Sequence, residues 1–354
     1  MKVKYMTVSA FNTFIATRKI LCLFVSLYIL FIPSLAICEE INIYSHRQPF
    51  LIKPFLKAFT ERTGIKTNVV YSTKGLAQRL KAEGKNSPAD VILTVDIGRL
   101  HVYADMKLLA KIESEKLSKN IPKHLRSDDN TWYGLSKRSR IIAVSKSRLK
   151  PNALSRIEDL AKPEWKGRIC SRPGSHVYNR GLLASLIAEY GIDEATKWAA
   201  SLVANLARRP QGNDRAQVKA IYEAQCDIAL INNYYYGKLK YSDDKNQRAW
   251  AEELMLIYPN QGEDDRGAHI NISGGGVAKF SKNKLNAIKF LEFLSEETAQ
   301  KLYSEINFEY PVNPNIKAST TLASWGDFKE DHLPIVKIAS LSQAAQKIID
   351  AVGW

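Results

Sequence analysis

Cys226-Asp227-Ile228-Ala229-Leu230-Ile231-Asn232-Asn233-Tyr234-Tyr235-Tyr236-Gly237 is the stretch on which the reading of the chain turns. Its first half is an unbroken apolar run, which reads as a buried parallel strand. Its second half cannot continue that strand into one core, because successive side chains on a strand point to opposite faces. At least one of the three phenols must face away. Asn and Gly bracket the tyrosines as a turn. The run therefore falls at the C-terminal end of a strand, where open α/β sheets place their ligands. Adjacent phenols there could bind a hard cation together, or they could form an aromatic wall.

Working outward, strand and helix patterns alternate. Ile41-Asn42-Ile43-Tyr44 is a short strand, followed by helical spacing of Phe50, Leu51, Phe55 and Phe59 up to Thr63-Gly64. Ile65 to Tyr71 and Val91 to Val95 read as two more strands, with a helix from Leu76 to Glu83 between them. This alternation predicts a parallel α/β sheet. Trp132 to Val144 is extended, and its polar segment Lys137-Arg138-Ser139-Arg140 suits a crossover between two lobes. Arg168-Ile169-Cys170-Ser171 opens a second α/β unit, with a Gly/Ser turn leading to a helix over Leu182 to Tyr190 and another over Thr196 to Ala207. Tyr178 lies near the start of the first of these, where backbone N–H groups favour anions. Pro210 to Asp214 caps a helix starting near Arg215. Ile272 to Ala278 is glycine-rich and is expected to enter a strand. It lacks the spacing of a phosphate-cradling loop, so close backbone approach or hinge duty is the better reading.

The chain has 354 residues, is 45% apolar and carries a formal charge of +15. Lys2, Lys4, Arg18 and Lys19 precede an apolar run ending in small residues, so residues 1–38 are expected to be a secretory signal peptide. Leu35-Ala36-Ile37-Cys38 approximates a lipidation box, with a bulky Ile37 against it. Loss of the four basic residues leaves a charge of about +11. The remaining Lys and Arg are scattered and no nucleic-acid-binding motif is present, so no nucleic-acid partner is expected. The charge favours an anionic surface or ligand instead. In an oxidising compartment, Cys170 and Cys226 are an even pair whose strands, if adjacent, would allow a disulfide. Two separate buried thiols are the alternative.

The usual catalytic signatures are missing. There is no Gly-x-Ser-x-Gly and no Cys-x-x-Cys, and His46, His101, His176 and His269 show no zinc-type pairing. Oxygen chemistry remains. A trivalent cation prefers anionic oxygen donors, and its charge can displace a phenol proton even though the free group titrates near pH 10. Tyr178, Tyr234 and Tyr235 would supply three phenolates, and Arg47 and Arg138 could hold an accompanying anion bidentately.

Ile43 to Phe50, Ser87-Pro88-Ala89-Asp90-Val91, Arg138-Ser139-Arg140, Tyr178-Asn179, Asn213-Asp214-Arg215, Asn233-Tyr234-Tyr235-Tyr236-Gly237, Asn271-Ile272-Ser273-Gly274 and Glu309-Tyr310-Pro311-Val312 occur in one order. Over about residues 40 to 350 this order resembles the periplasmic ferric-ion-binding proteins of ABC iron-uptake systems. The resemblance implies a type II periplasmic-binding-protein fold with two α/β lobes, a hinge and a central cleft. The lobes would be residues 39–139 with 263–312, and 140–262 with 313–354. It implies a monomeric, non-enzymatic binding protein that carries Fe(3+) to an inner-membrane permease. A same-fold binder of an organic solute or a phosphate-like anion is the alternative. The implied iron ligands are Tyr178, Tyr234 and Tyr235, with Tyr236 left to pack. Some relatives add a His and a Glu, where this chain has Gln48 and Val95. The pattern therefore resembles the subgroup that completes the site with a synergistic anion, carbonate, held by Arg47 and Arg138. His46, Gln48, Asn213 and Asn232 are expected just behind the ligands. His46 is either a pH-sensitive neighbour of the site or a surface turn residue.

Overall fold

In a computed structural model, residues 39–354 are described. The signal peptide and the lipidation question at Cys38 lie outside the described residues.

Eight strands form one sheet: β1 (Glu40–Ser45), β2 (Lys66–Tyr71), β3 (Val91–Thr94), β4 (Tyr133–Ser145), β5 (Ile169–Cys170), β6 (Ile228–Asn232), β7 (Leu254–Ile257) and β8 (Ile270–Val277). Their order is β2-β1-β3-β8-β4-β6-β5, with β7 also paired to β4. β1 pairs in parallel with both β2 and β3, and β5 with β6. β4 and β8 run antiparallel to their neighbours. The sheet is thus mixed, and β6 is parallel on one side only. Crossover helices keep the β1 to β3 strands parallel, whereas β4 and β8 each pass between the two halves of the sheet and meet them in reverse.

β4 is the bridge. Tyr133 to Ser139 pair with β8, and from Arg140 onward the partner becomes β6, with Arg140 opposite Asn232. The partner changes within Lys137-Arg138-Ser139-Arg140. Arg138 and Arg140 are two apart, so both side chains leave the strand on one face, and both are buried.

The glycine-rich stretch lies inside β8 and does not merely lead into it. A Cβ on Gly275 would sit 2.7 Å from the Ile92 carbonyl, and one on Gly276 2.6 Å from that of Thr131. Close backbone approach accounts for these glycines. The two helices expected after β5 begin earlier, at Val177, and run to Ala204 with a break at Gly191 (φ 84°). Cys170 and Cys226 flank the β5–β6 pair, and their sulfurs are joined across a sequence separation of 56. Among the described residues no helix is long and apolar enough to cross a membrane.

Candidate functional site: a cleft lined by three phenols

The tyrosine run forms the first turn of a helix, Asn233–Lys240, that starts directly where β6 ends. The bracketing Asn and Gly signal a turn in sequence, but tertiary contacts override that local chemistry. The Asn233 side chain accepts from the Ser139 backbone N–H at 2.9 Å and donates to the Phe308 carbonyl at 3.1 Å. It thereby ties the helix start to β4 and to a distant loop. Gly237 faces Phe308 and Trp325, where a Cβ would lie 2.5 and 2.7 Å from ring carbons. Tyr236 leaves on another side and packs edge-on against Trp325 at 5.2 Å.

Tyr234 and Tyr235 point into a cleft of about 230 Å³, and Tyr178 joins them from the first turn of the helix that begins at Val177. The Tyr234 hydroxyl donates to that of Tyr178 at 2.9 Å. Asn232 Nδ2 donates to Tyr234 at 3.3 Å. The Tyr234 and Tyr235 rings lie 4.5 Å apart. Burial first, and the neighbouring phenols second, hold Tyr234 protonated well above the usual phenol range. Tyr235 is raised by burial first, then by Tyr178 and the Asp214 carboxylate. Without a cation Tyr234 and Tyr235 are therefore neutral phenols.

Guanidinium groups surround the cluster. Arg138, Arg140 and Arg172 lie 5.8, 5.9 and 5.1 Å from the centre of the Tyr178 ring. Behind them Asp214, fully buried, accepts from Arg140 at 2.6 Å, from Arg172 at 2.9 Å and from the Asn232 backbone at 2.9 Å. Asn179 accepts from Arg140 at 2.6 Å. This network fixes both ends of the tyrosine constellation, the strand end at Asn232 and the helix start at Asn179.

The expected anion partners both line the cleft, yet their charges are already engaged. Arg47 pairs with Glu309 at 2.8 Å and donates to Ser273 at 2.6 Å. Arg138 donates to the Val95 carbonyl and, at 3.2 Å, to Ser273, with Asp96 at 3.7 Å. The Arg138 Nε is buried without a partner. The cleft does hold a carboxylate, although Val95 stands where one was sought. Glu309 supplies it from a loop 262 residues from Arg47. Burial alone would raise its titration, but the charges of Arg47 and Arg138 and the hydrogen bonds from Arg47 and Ser136 together outweigh that and hold it ionised below the usual carboxylate range. Glu309 opens Glu309-Tyr310-Pro311-Val312, one of the motifs of the resemblance, but nothing local ties its carboxylate to Arg47. The available signal was that a buried arginine needs a carboxylate partner.

His46 is not a surface turn residue. It is 8% exposed. Its Nδ1 donates to the Ser72 carbonyl at 2.8 Å, which leaves Nε2 to accept from the Tyr103 hydroxyl at 2.9 Å. Burial, aided by the Arg99 charge, lowers its titration to about 4. Gln48 is exposed at the cleft edge and precedes the helix Pro49–Thr63. Asn213 does not line the cleft. Its side chain caps the helix Asp214–Tyr222 by accepting from the Ala216 N–H at 3.1 Å. His176 likewise caps its helix through Nδ1, accepting from the Tyr178 N–H at 3.3 Å.

Among the described residues no group of three His, Cys, Asp or Glu side chains could hold a metal ion. The donor set on offer is phenolic, which suits a small, highly charged cation and disfavours soft or divalent metals.

The profile of the bacterial extracellular solute-binding proteins matches residues 55–330. The chain is 42% identical over 317 residues to iron uptake protein A1 of Synechocystis, covering 89% of this chain and 88% of that protein. Ferric iron-binding protein A of Mannheimia haemolytica in an open conformation has a TM-score of 0.83 at 48% identity, covering 89% of this chain and 98% of its own. The Trichodesmium protein IdiA (FutA), in complex with iron and citrate ligands, has a TM-score of 0.84 at 44% identity, covering 89% and 99%.

Proposed function

The chain belongs to the bacterial extracellular solute-binding proteins, with the type II periplasmic-binding-protein fold, and from that membership we propose that it captures ferric ion in the periplasm and delivers it to an inner-membrane ABC permease. Its role is binding and delivery, not catalysis. The observation that carries the reading is the convergence of Tyr178, Tyr234 and Tyr235 in one cleft, with two of the hydroxyls 2.9 Å apart.

In this reading the cation displaces three phenol protons. Three phenolates neutralise its formal charge, and an anion or water fills the remaining coordination positions. The anion proposed for those positions is carbonate, set against the Arg138 guanidinium, with Arg47 and Glu309 forming the neighbouring wall. The two halves of the sheet close about β4 and β8, and the protein acts as a monomer. The bound cation stabilises the closed form by bridging groups that the open form holds apart. Delivery then requires reopening, which protonation of the phenolates or loss of the anion would favour.

Equilibrium dialysis against ferric ion with bicarbonate, followed by metal analysis, tests this reading. Stoichiometric iron retention is expected. A protein that retains an organic solute or phosphate and takes up no iron would overturn it.

A further inference from the structure

A second, smaller cavity of about 180 Å³ lies away from the tyrosines. Leu80, Met106 and Leu108 give it an apolar floor, and the exposed Lys81, Lys107 and Lys279 rim it. No carboxylate lines it. Ala89, just before β3, and Ala278, just after β8, reach it too, whereas Val95, just after β3, lines the tyrosine cleft. The two sites therefore face opposite ends of one strand. Three more exposed lysines extend the rim: Lys85, beyond the helix Leu76–Glu83, and Lys282 and Lys284 in the turn after β8. Ser281 Oγ and the Asn283 N–H donate to the Asp90 carboxylate at 2.7 and 3.1 Å, which fixes that turn beside the start of β3. The neighbouring carboxylates are engaged elsewhere. Asp90 is buried in those contacts, Glu83 accepts from Arg79, Tyr44 and Ser87, and Asp105 faces His101. Among the described residues none of the six lysines has an ion-pair partner. Two apolar side chains stand among them. Phe280 is 40% exposed, with the Lys279 ammonium 5.8 Å from its ring centre, and Leu285 is 76% exposed.

Six cations without counter-charges repel one another, so the patch favours a partner dense in negative charge. Interfaces between proteins are poor in lysine and rich in arginine, and every one of these six cations is a lysine. A lysine is a strongly hydrated point charge on a flexible stem and needs no fixed geometry in its partner. It suits a surface of many mobile phosphates, and a cluster of this size is what an anionic leaflet attracts. Exposed Phe and Leu beside lysines are the groups by which a polypeptide enters the boundary between lipid headgroups and acyl chains. We propose that this end of the molecule rests on an anionic phospholipid bilayer, with the six lysines against lipid phosphates and Phe280 and Leu285 in the headgroup boundary. Because the tyrosine cleft lies at the other end of β3, the bilayer holds the protein without covering its site. The inference stands apart from the ferric-ion reading.

Cosedimentation with vesicles tests this, using the chain without its expected signal peptide (residues 39–354). Wild type should bind vesicles of phosphatidylglycerol and phosphatidylcholine, and should not bind phosphatidylcholine alone. Each lysine close to an anionic surface is expected to contribute about fivefold in binding. Lys81→Gln/Lys107→Gln/Lys279→Gln should therefore lose about a hundredfold. Lys146→Gln/Lys150→Gln/Lys166→Gln removes the same charge from exposed positions around β4 and β5, in the other half of the sheet. It should lose several-fold at most, through the net field alone. Phe280→Ser/Leu285→Ser keeps every charge and should lose about tenfold, by forfeiting the apolar contact. All three variants should retain iron as wild type does, since none of these residues lines the tyrosine cleft. Wild type that does not bind the anionic vesicles would overturn the inference and leave an acidic protein as the partner of the patch. Equal losses in the two lysine variants would reduce the patch to a share of the net charge and overturn it as well. Undiminished binding by Phe280→Ser/Leu285→Ser would overturn the placement of those side chains in the headgroup boundary.

Discussion

At the scale of single residues, the cleft depends on groups that are costly to bury and are buried in pairs. Arg47 and Glu309 are 3% and 8% exposed along their side chains and 2.8 Å apart. Replacing one partner leaves the other charged and unmatched. Glu309→Gln is expected to lower the unfolding free energy of the iron-free protein by about 3–5 kcal/mol. Urea unfolding would read the change, and an unaltered midpoint would show that the pair contributes nothing. His46 is the opposite case, a titratable group buried neutral. Its folded value near 4 lies below the ordinary histidine value near 6.5. As pH falls below about 6.5, the unfolded chain takes up the proton first, so this stability is complete at neutral pH and is lost toward pH 4. Between pH 7 and 4.5 the loss from this group comes to about 2 kcal/mol. In His46→Gln the stability difference between those two pH values should shrink by that amount. An equal difference in variant and wild type would contradict the assignment.

At the scale of elements, the site is a product of two helix starts and one strand end. The apolar run through Ile231 was legible as a buried strand, and the tyrosines were legible as lying at its end. Their helical conformation was not. Asn233 and Gly237 carry turn chemistry locally, and only contacts with Ser139, Phe308 and Trp325 decide between turn and helix. Asn213 was legible on its own, because Pro210 to Asp214 reads as a helix cap and its side chain caps the helix Asp214–Tyr222. The long-range pairs, Arg47 with Glu309 above all, could not be read from spacing. Gly237 offers a direct test of the helix. In a free helix, alanine would be favoured over glycine by about 0.5–1 kcal/mol. Here the added methyl meets Phe308 and Trp325 inside contact distance, and overpacking of that kind costs about 1–3 kcal/mol. Gly237→Ala is therefore expected to destabilise the protein and to weaken iron binding by shifting Tyr234 and Tyr235. Unchanged iron affinity in a folded variant would show that the first turn is not positioned through this contact.

At the scale of the whole molecule, the sheet explains why the cleft lies where it does. β4 and β8 are shared by both halves, and the partner change along β4 occurs at the arginines that reach Tyr178. Strands that carry the binding groups and also join the halves couple ligand capture to any relative motion of those halves. The net positive charge of the chain and five cationic side chains of the cleft lining act in the same direction, attracting an anion that follows the cation. The central claim is that Tyr178, Tyr234 and Tyr235 bind ferric ion as phenolates. A phenolate bound to ferric ion gives a visible charge-transfer absorption. The most direct measurement is therefore the visible spectrum on titrating ferric ion, with bicarbonate, into wild type, Tyr178→Phe, Tyr234→Phe and Tyr235→Phe. The account predicts a band in wild type that is weakened or abolished in each single variant. A colourless wild type, or a band unchanged in all three variants, would contradict it.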